Sequence, residues 1–330
     1  LPALLLVVAA RVLTGTLFQN NREGVKFYDG TPAVTFSGNT FGIQREAAVR
    51  GDLNGVARSV FGAPEANSYQ SSATNFDGIA ISAGTLGGGG TLWQDGGVPY
   101  RIEGTPTVAG SATLYIRPGV TVEMGAGKEL LVSGRLQAVG TPAATITITS
   151  SAASKSAGDW GMIQFETGSR GMLEWCRIEY GGATSDKGMV TVHQGGDLTV
   201  RWCELRRSYR SGLLARGTST VPPITRLTVE SSTLTEHRGL QTDFADQPAL
   251  QIGDSQRVIA TVRDCVIRDN GATTGARPGV LLVGNLVSQD VVLERNLFLR
   301  NREGVKMYGA GEPGATLRGL VKGPTGKPAV

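Results

Sequence analysis

Reactive side chains are scarce in this chain, which has three cysteines and two histidines among 330 residues. The odd number of cysteines and the lack of any metal-ligand spacing argue against a disulfide framework, and no metal site is predicted. Aromatic residues make up only 6% of the chain and charged residues only 18%, and no apolar run reaches the length of a membrane span. The formal net charge of +4 is too small to indicate nucleic-acid binding, and no nucleic-acid-binding motif is visible.

Nucleotide-binding motifs are also lacking. The segment Gly125-Ala-Gly-Lys128 matches the end of a phosphate-binding loop, but Val122 stands where the first glycine is required. Glu129 stands where the motif requires Ser or Thr. We therefore predict that this segment is a turn, and no cofactor is expected.

Glycine, by contrast, is abundant, and its 47 residues predict many turns. The chain also contains a repeat, written as apolar, any, apolar, any, any, small polar, any, apolar. The repeat occurs at 198–205, 227–234, 260–267 and 291–298, and more loosely at 172–178 and 34–41. From 172–178 onward, the small polar residues are 27, 29, 33 and 31 positions apart. They are Cys176, Cys203, Ser232, Cys265 and Asn296, with Asn39 in the same place near the start.

The repeated unit is predicted to be a β-strand, because apolar and polar residues alternate and β-branched types are common. A period of this length is typical of a solenoid, in which each coil buries its apolar face against its neighbours. The apolar residues that we expect to point inward are Val200, Leu205, Val229, Leu234, Val262, Ile267, Leu293 and Phe298.

Charged residues follow the same repeat. Two positions before the small polar residue the sign alternates, through Glu174, Arg201, Glu230, Arg263 and Glu294. Strands of neighbouring coils lie about 4.8 Å apart. We therefore predict that these side chains form one outward ladder of opposite charges.

The first ten residues, LPALLLVVAA, resemble the apolar part of a signal peptide but lack an initiating Met and a basic segment. Residues 13–28 align without gaps on residues 293–308, with ten identities in sixteen positions, which favours a buried strand of a coil instead. We therefore interpret the sequence as a piece of a longer protein of tandem units, with any secretion signal or anchor outside it.

The chain divides into four segments. Residues 1–50 are interpreted as the terminal coils of a preceding β-helix unit, and 51–97 as a Gly/Ser-rich linker or irregular connection. Within the second segment, Asp52 is a candidate N-cap of a short helix. Residues 98–320 are interpreted as the main β-helix, and 321–330 as the start of a further coil.

Short alternating strands broken by glycine or proline turns mark the beginning of the main segment. They include LYIRPGVTV at 114–122, LVSGRLQAVGT at 131–141, GDWG at 158–161 and LEWCRIEYGG at 173–182. In these motifs the chain resembles the pectin-lyase-like right-handed parallel β-helix modules of bacterial secreted and cell-surface proteins. The resemblance implies an all-β solenoid of three-strand coils and an extracellular or cell-surface location. It says little about activity, because this fold hosts enzymes, binders and adhesins alike.

One hypothesis for function is a polysaccharide lyase or glycoside hydrolase that acts on an acidic polysaccharide. Its candidate catalytic residues are His237, Asp243, Asp246 and Asp269. Lyases with this fold need a carboxylate cluster for calcium and a basic side chain to take the proton, whereas the polygalacturonase type needs an Asp-Asp pair and a Gly-His-Gly. Neither Asp-Asp nor Gly-His-Gly occurs in the sequence, and no dense cluster of Asp residues falls on successive coils. His237 stands five positions after its small polar residue, as Ser208 and Asn270 do, which predicts a polar surface or turn role.

The favoured hypothesis is a non-catalytic β-helix segment that serves as an adhesion or scaffold surface in contact with a polysaccharide. The most basic stretch, 201–226, contains the candidate ligand-binding residues Arg206, Arg207, Tyr209 and Arg210. Arginines beside an aromatic residue suit an anionic glycan. The alternative is that these charges pair with one another along the coils.

The cysteines have two interpretations as well. Since they share a repeat position with Ser232, Asn296 and Asn39, they are predicted to form an inward column of small side chains. A Cys176–Cys203 disulfide is the alternative, because adjacent coils bring Cα atoms within bonding range.

Overall fold

The computed structural model describes most of the chain. The described residues are 4–6, 12–27, 34–58, 67–70, 76, 78–217, 224–237, 248–254, 257–270, 278–284, 290–308 and 315–322. They form a right-handed parallel β-helix, which confirms the predicted all-β fold class and its three-strand coils. No helix among them is both long enough and apolar enough to cross a membrane.

Three long parallel sheets run the length of the solenoid. The first sheet has thirteen strands, at Leu4–Leu6, Glu23–Phe27, Ala47–Gly51, Ile79–Ile81, Tyr100–Ile102, Thr121–Met124, Ile146–Ser150, Cys176–Glu179, Glu204–Arg206, Thr233–Thr235, Val266–Arg268, Leu297–Leu299 and Val321–Lys322. The second has nine, at Thr85–Leu86, Thr107–Val108, Leu130–Val132, Ile163–Phe165, Val190–Val192, Leu213–Ala215, Leu250–Ile252, Pro278–Val283 and Glu303–Tyr308. The third also has nine, at Gly89–Trp93, Ala112–Ile116, Arg135–Val139, Arg170–Glu174, Asp197–Arg201, Thr225–Glu230, Val258–Arg263, Val291–Glu294 and Thr316–Arg318.

The remaining described elements are short and lie in the first part of the chain. Val12–Thr14 pairs with Thr35–Ser37, and Leu17–Phe18, Thr40–Phe41 and Ser68–Tyr69 form a small sheet of their own. The helix is Leu53–Arg58. Asp52 caps it as predicted, because its Oδ1 accepts a hydrogen bond from the Gly55 N–H at 2.8 Å.

From Thr85 onward each coil visits the second, third and first sheets in turn, and every strand pairs with the equivalent strand of the next coil. The pairing places Leu205 beside Leu234, and Leu234 beside Ile267. All eight residues predicted to point inward are buried, with exposed fractions of 0% to 5%. The hydrophobic core is therefore a continuous column of stacked aliphatic side chains, and each contributes roughly 1.5–3 kcal/mol by leaving water.

The predicted charge ladder is confirmed in both register and contact. Arg201 is the Cα partner of Glu174 on one side and of Glu230 on the other. Its guanidinium lies 3.5 Å from the Glu174 carboxylate and 2.9 Å from that of Glu230. Arg263 continues the ladder at 2.7 Å from Glu230. These half-exposed pairs help to fix the register of successive coils more than they add to stability.

Strands occupy part of the 51–97 segment that composition assigned to a linker or irregular connection. Ile79–Ile81 pairs with Ala47–Gly51 on one side and with Tyr100–Ile102 on the other, so the first sheet continues across this segment. Trp93 is buried there and stacks on Tyr100 with ring centroids 4.8 Å apart. Backbone hydrogen bonds form the strands of this segment, and Trp93 shares its core contacts with Ile79, Ile81 and Leu86. The division of the chain into four segments stays a prediction, and residues 323–330 lie outside the described residues.

Two corners recur at the ends of the first-sheet strand in the five coils from Trp175 to Arg300, and both adopt positive φ. The first corner precedes the small polar residue and is held by Trp175, Trp202, Ser231, Asp264 and Arg295, with φ between 49° and 57°. The second corner, at the other end of the strand, is held by Tyr180, Arg207, Glu236, Asp269 and Arg300, with φ between 48° and 68°. L-residues rarely adopt this conformation, so each corner carries a local backbone cost.

In the coils from residue 198 to residue 301, the backbone between the third sheet and the second corner has a constant length. The intervals Leu198 to Ser208, Leu227 to His237, Ala260 to Asn270 and Val291 to Asn301 contain the same number of residues. In these coils the variation in coil length therefore falls in the connections on either side of the second-sheet strands.

Candidate functional site

The small polar residues form one buried column, as predicted. The Cys176 N–H donates to Cys203 Sγ at 3.4 Å, and the Cys203 N–H donates to Ser232 Oγ at 3.1 Å. Farther along, the Cys265 N–H donates to Asn296 Oδ1 at 3.0 Å. The side chains of Cys203, Ser232 and Asn296 thus each accept a hydrogen bond from the turn of the preceding coil, which satisfies a buried backbone donor.

The three cysteines are free thiols within this column. The hydrogen bond with Cys203, together with burial, raises the pKa of Cys176. Burial raises the pKa of Cys265 to about 12. Since the thiolate is the nucleophile and the metal ligand, neither position is suited to covalent catalysis or metal binding.

A second buried column follows the second corner and contains His237. The Ser208 N–H donates to His237 Nδ1 at 3.2 Å, and the His237 N–H donates to Asn270 Oδ1 at 3.2 Å. The column continues as the Asn270 N–H donates to Asn301 Oδ1 at 3.2 Å. Of the two roles that the repeat predicted for His237, surface or turn, the structure shows the turn, and the side chain is fully buried there. Its imidazole accepts a hydrogen bond from backbone and does not face a substrate groove.

Of the remaining catalytic candidates, Asp269 is within the described residues, and its carboxylate is paired with arginines rather than with His237. Asp269 lies at the second corner and accepts hydrogen bonds from Arg300 at 2.5 Å and from Arg268 at 2.8 Å. The hydrogen bond from Arg300 lowers the pKa of Asp269, so the carboxylate stays ionised in an ion pair. Asp243 and Asp246 lie outside the described residues. Within the described part of the chain, no group of three His, Cys, Asp or Glu side chains is arranged to hold a metal ion.

A groove opens along the second corner. Its volume is about 520 Å³, and its lining residues are Lys155, Ser156, Ala157, Tyr180, Arg207 and Glu236. Tyr180, Arg207 and Glu236 hold the same corner position in three successive coils, so they form one wall of a groove that runs along the solenoid axis. The other wall is the connection that leaves the strand Ile146–Ser150.

That connection is held firmly in place. Asp159 Oδ2 accepts hydrogen bonds from Ser150 Oγ at 2.6 Å and from the Ser156 N–H at 2.9 Å. Lys155 Nζ donates to the carbonyl oxygens of Ser150 and Ala152. Gly158, with φ of 86°, is so close to Tyr209 that an added Cβ would lie 3.0 Å from the tyrosine Cβ. Tyr209 therefore supports the groove wall rather than lining the cavity.

Arg207 is the cation at the centre of the groove. Its Nε donates to Glu236 Oε2 at 2.7 Å, and another guanidinium nitrogen donates to the Tyr180 hydroxyl at 2.5 Å. The same guanidinium lies 5.5 Å from the centroid of the Tyr180 ring. The hydrogen bonds to Glu236 and Tyr180 raise the pKa of Arg207, so it is a permanent cation with a fixed orientation.

The other predicted ligand-binding arginines have structural partners. Arg206 lies on the outer face of the first sheet, 2.6 Å from the Glu179 carboxylate and 3.7 Å from that of Glu204. Arg210 is buried, and its guanidinium lies 5.9 Å from the Tyr209 ring centroid. Of the four ligand-binding residues predicted from the sequence, Arg207 therefore lines the groove. Arg206 instead forms ion pairs, as the alternative interpretation of the basic stretch predicted.

The same corner also forms a smaller cavity near the start of the chain. Its volume is about 340 Å³, and its lining residues are Asn20, Asn21, Arg22, Arg45 and Glu46. Asn20 has a φ of 59° and corresponds to Arg300 in the alignment of residues 13–28 with 293–308. Concave, charged surface is thus a recurring property of this corner.

Sequence reasoning missed a pair of aromatic residues at the first corner. The rings of Trp175 and Trp202 are stacked, with centroids 5.4 Å apart and planes inclined by 10°. Trp202 is 44% exposed, and both residues hold a positive-φ position that Gly15 and Gly38 occupy in the first coils. The repeat contained the signal, because both tryptophans directly precede the small polar residue. Lys155 and Tyr180 were also missed.

No protein family, curated protein or solved structure matches this chain.

Proposed function

We propose that this chain is a non-catalytic segment of a pectin-lyase-like β-helix protein of the bacterial cell surface or extracellular space. In this proposal it serves as an adhesion or scaffold surface that contacts an acidic polysaccharide. The observation that carries the proposal is the groove in which Arg207 and Lys155 lie beside the Tyr180 hydroxyl. The proposed location comes from the resemblance of the sequence motifs to modules of secreted and surface proteins.

The chemistry of the groove supports an anionic sugar as the ligand. A planar guanidinium with a fixed orientation can donate two hydrogen bonds to one carboxylate. The Tyr180 ring adds an apolar surface and the Glu236 carboxylate adds an acceptor for sugar hydroxyl groups. The groove runs along a regular solenoid, so a linear polymer fits it better than a compact small molecule does.

The proposal of a binding surface rather than an enzyme rests on how the candidate acids and histidine are used. His237 lies in a buried column of backbone contacts, and Asp269 is held by two arginines. A general base must reach a substrate proton, directly or through one water. Both side chains instead stabilise turns between coils.

The test is binding of polygalacturonate by affinity electrophoresis and by calorimetry. We expect Arg207→Ala to weaken binding about tenfold, because a charge-assisted hydrogen bond is lost. Binding should also weaken as salt rises, since exposed charges are screened. The matched control is Arg135→Ala, which removes an exposed arginine from the third sheet, away from the groove.

Product formation is measured in the same experiment. Unsaturated products formed from polygalacturonate or alginate in the presence of calcium, and lost in Asp243→Ala or Asp246→Ala, would show an enzyme and overturn the proposal. Equal binding by the parent protein and by Arg207→Ala would show that the groove is not the contact surface.

A further inference from the structure

The stacked pair Trp175–Trp202 is the largest aromatic surface exposed at a corner of the described solenoid. Trp202 is 44% exposed, whereas the other tryptophans of the chain, Trp93 and Trp160, are 1% and 0% exposed. A bulky residue at positive φ carries a local backbone cost, and Arg295 bears it at this corner as the two tryptophans do. In other coils the same position is held by Gly38, Ser231 or Asp264, so the turn itself does not require an aromatic residue.

The residues around the stack are polar. Arg201 lies 2.9 Å from the Glu230 carboxylate, and Arg177 lies 3.0 Å from that of Glu204. The next coil places the exposed Ser231 beside Trp202, so no large side chain of that corner extends the stack. The site therefore combines an apolar ring face with donors and acceptors of hydrogen bonds at its border.

This combination favours a sugar over a protein partner. A stable protein interface buries about 800 Å² on each partner around a larger apolar centre. Two indole rings surrounded by ion pairs offer much less apolar area than that. A pyranose ring presents an apolar C–H face to an aromatic plane and a rim of hydroxyl groups to charged side chains.

We propose that Trp202, supported by Trp175, is a stacking subsite for one sugar ring of a polysaccharide. This inference builds on the proposed function, because it adds a contact that does not depend on charge to the groove at the second corner. The strand Glu204–Arg206 joins Trp202 to Arg207, and five residue steps of extended chain span about 16 Å. Because the groove runs along the solenoid axis, a polysaccharide that occupies it contacts Trp202 as well only where the polymer turns across the outer face of the first sheet.

The decisive experiment compares two ligands with one backbone and different charge, polygalacturonate and its fully methyl-esterified form. We expect Trp202→Gly to weaken binding of both polymers about tenfold, because loss of a buried aromatic contact costs at least that much. Arg207→Ala should weaken binding of polygalacturonate only. The Trp202 contribution should persist at high salt, where the Arg207 contribution disappears.

Fluorescence gives an independent readout. Because Trp93 and Trp160 are buried, quenching by acrylamide reports on the first-corner pair. Bound polymer should protect the parent protein from quenching and should not protect Trp202→Gly. Trp202→Phe keeps an aromatic ring and should retain binding, while Trp202→Ser reproduces the residue at 231 and should lose it.

The outcomes separate this inference from the proposed function. Binding of polygalacturonate that falls in Arg207→Ala but is unchanged in Trp202→Gly would overturn the stacking subsite alone. Binding of both polymers that needs Trp202 and is unchanged in Arg207→Ala would support the subsite and contradict an acidic ligand. Self-association of the parent protein that Trp202→Gly abolishes, without protection by either polymer, would show a protein contact and overturn the subsite.

Discussion

Burial changes the acid–base chemistry of two thiols, Cys176 and Cys265. The pKa of Cys265 is raised to about 12 because the thiolate would lie in the apolar interior. The thiol of an unfolded cysteine has a pKa of about 8.5. The Cys265 thiol therefore keeps its proton in the folded state over a range of pH in which the unfolded state releases it. This contribution to stability is complete below the unfolded pKa and is lost as pH rises toward the folded pKa.

We predict that Cys265→Ser reduces the loss of stability between pH 7 and pH 10. Ser232 occupies the same position one coil earlier, so the substituted hydroxyl fits the column. The measurement is urea unfolding at both pH values, with the parent protein as reference. An equal loss in both proteins would show that Cys265 does not titrate on unfolding.

His237 illustrates what a residue pattern predicts and what it leaves open. The repeat placed this side chain at a turn together with Ser208 and Asn270, and that position is confirmed. It did not predict burial, because a polar residue at a turn is more often exposed. The physical reason is that the turn leaves a backbone N–H inside the solenoid, and an inward side chain must accept its hydrogen bond.

At the scale of the strand, the aliphatic columns carry most of the stability. Leu234 lies in the strand Thr233–Thr235, fully buried between Leu205 and Ile267 of the adjacent coils. We predict that Leu234→Ala costs roughly 2–5 kcal/mol of local stability, because rigid neighbouring coils cannot collapse into the cavity. The measurement is thermal melting, with Thr233→Ala on the outward side of the same strand as the control. Melting curves identical to those of the parent would place Leu234 outside the core.

The strands of the repeat were predictable because their side chains alternate strictly, as in Leu198-Thr-Val200. The charge ladder was predictable for the same reason, since register follows once the strand is fixed. The pairing of Gly89–Trp93 with Ala112–Ile116 was not, because ladder hydrogen bonds come from the backbone and leave no side-chain pattern. Lys155 lies in a connection between strands. The sequences of these connections do not repeat from coil to coil, so the position of Lys155 at the groove could not be predicted.

At the scale of the molecule, the solenoid is a one-dimensional array in which each coil contacts its neighbours. A local defect is therefore expected to open nearby coils before distant ones. We predict that Leu234→Ala accelerates amide hydrogen exchange within the strands of 198–267, while the strands of 100–150 keep the protection of the parent. The measurement is hydrogen exchange followed by mass spectrometry of peptides. Uniform acceleration over both regions would show a single cooperative unit instead.

The constant length between the third sheet and the second corner also bears on how such a chain can diverge. Insertions and deletions on either side of the second-sheet strands change the surface residues on one side of a coil. They do not shift the register of the buried side chains stacked between coils. Arg207 and Trp202 lie on the part whose length is fixed, whereas Lys155 lies in a connection of the variable kind. A lineage, or an engineer, can therefore alter the specificity of the groove by replacing one wall while the other keeps its spacing.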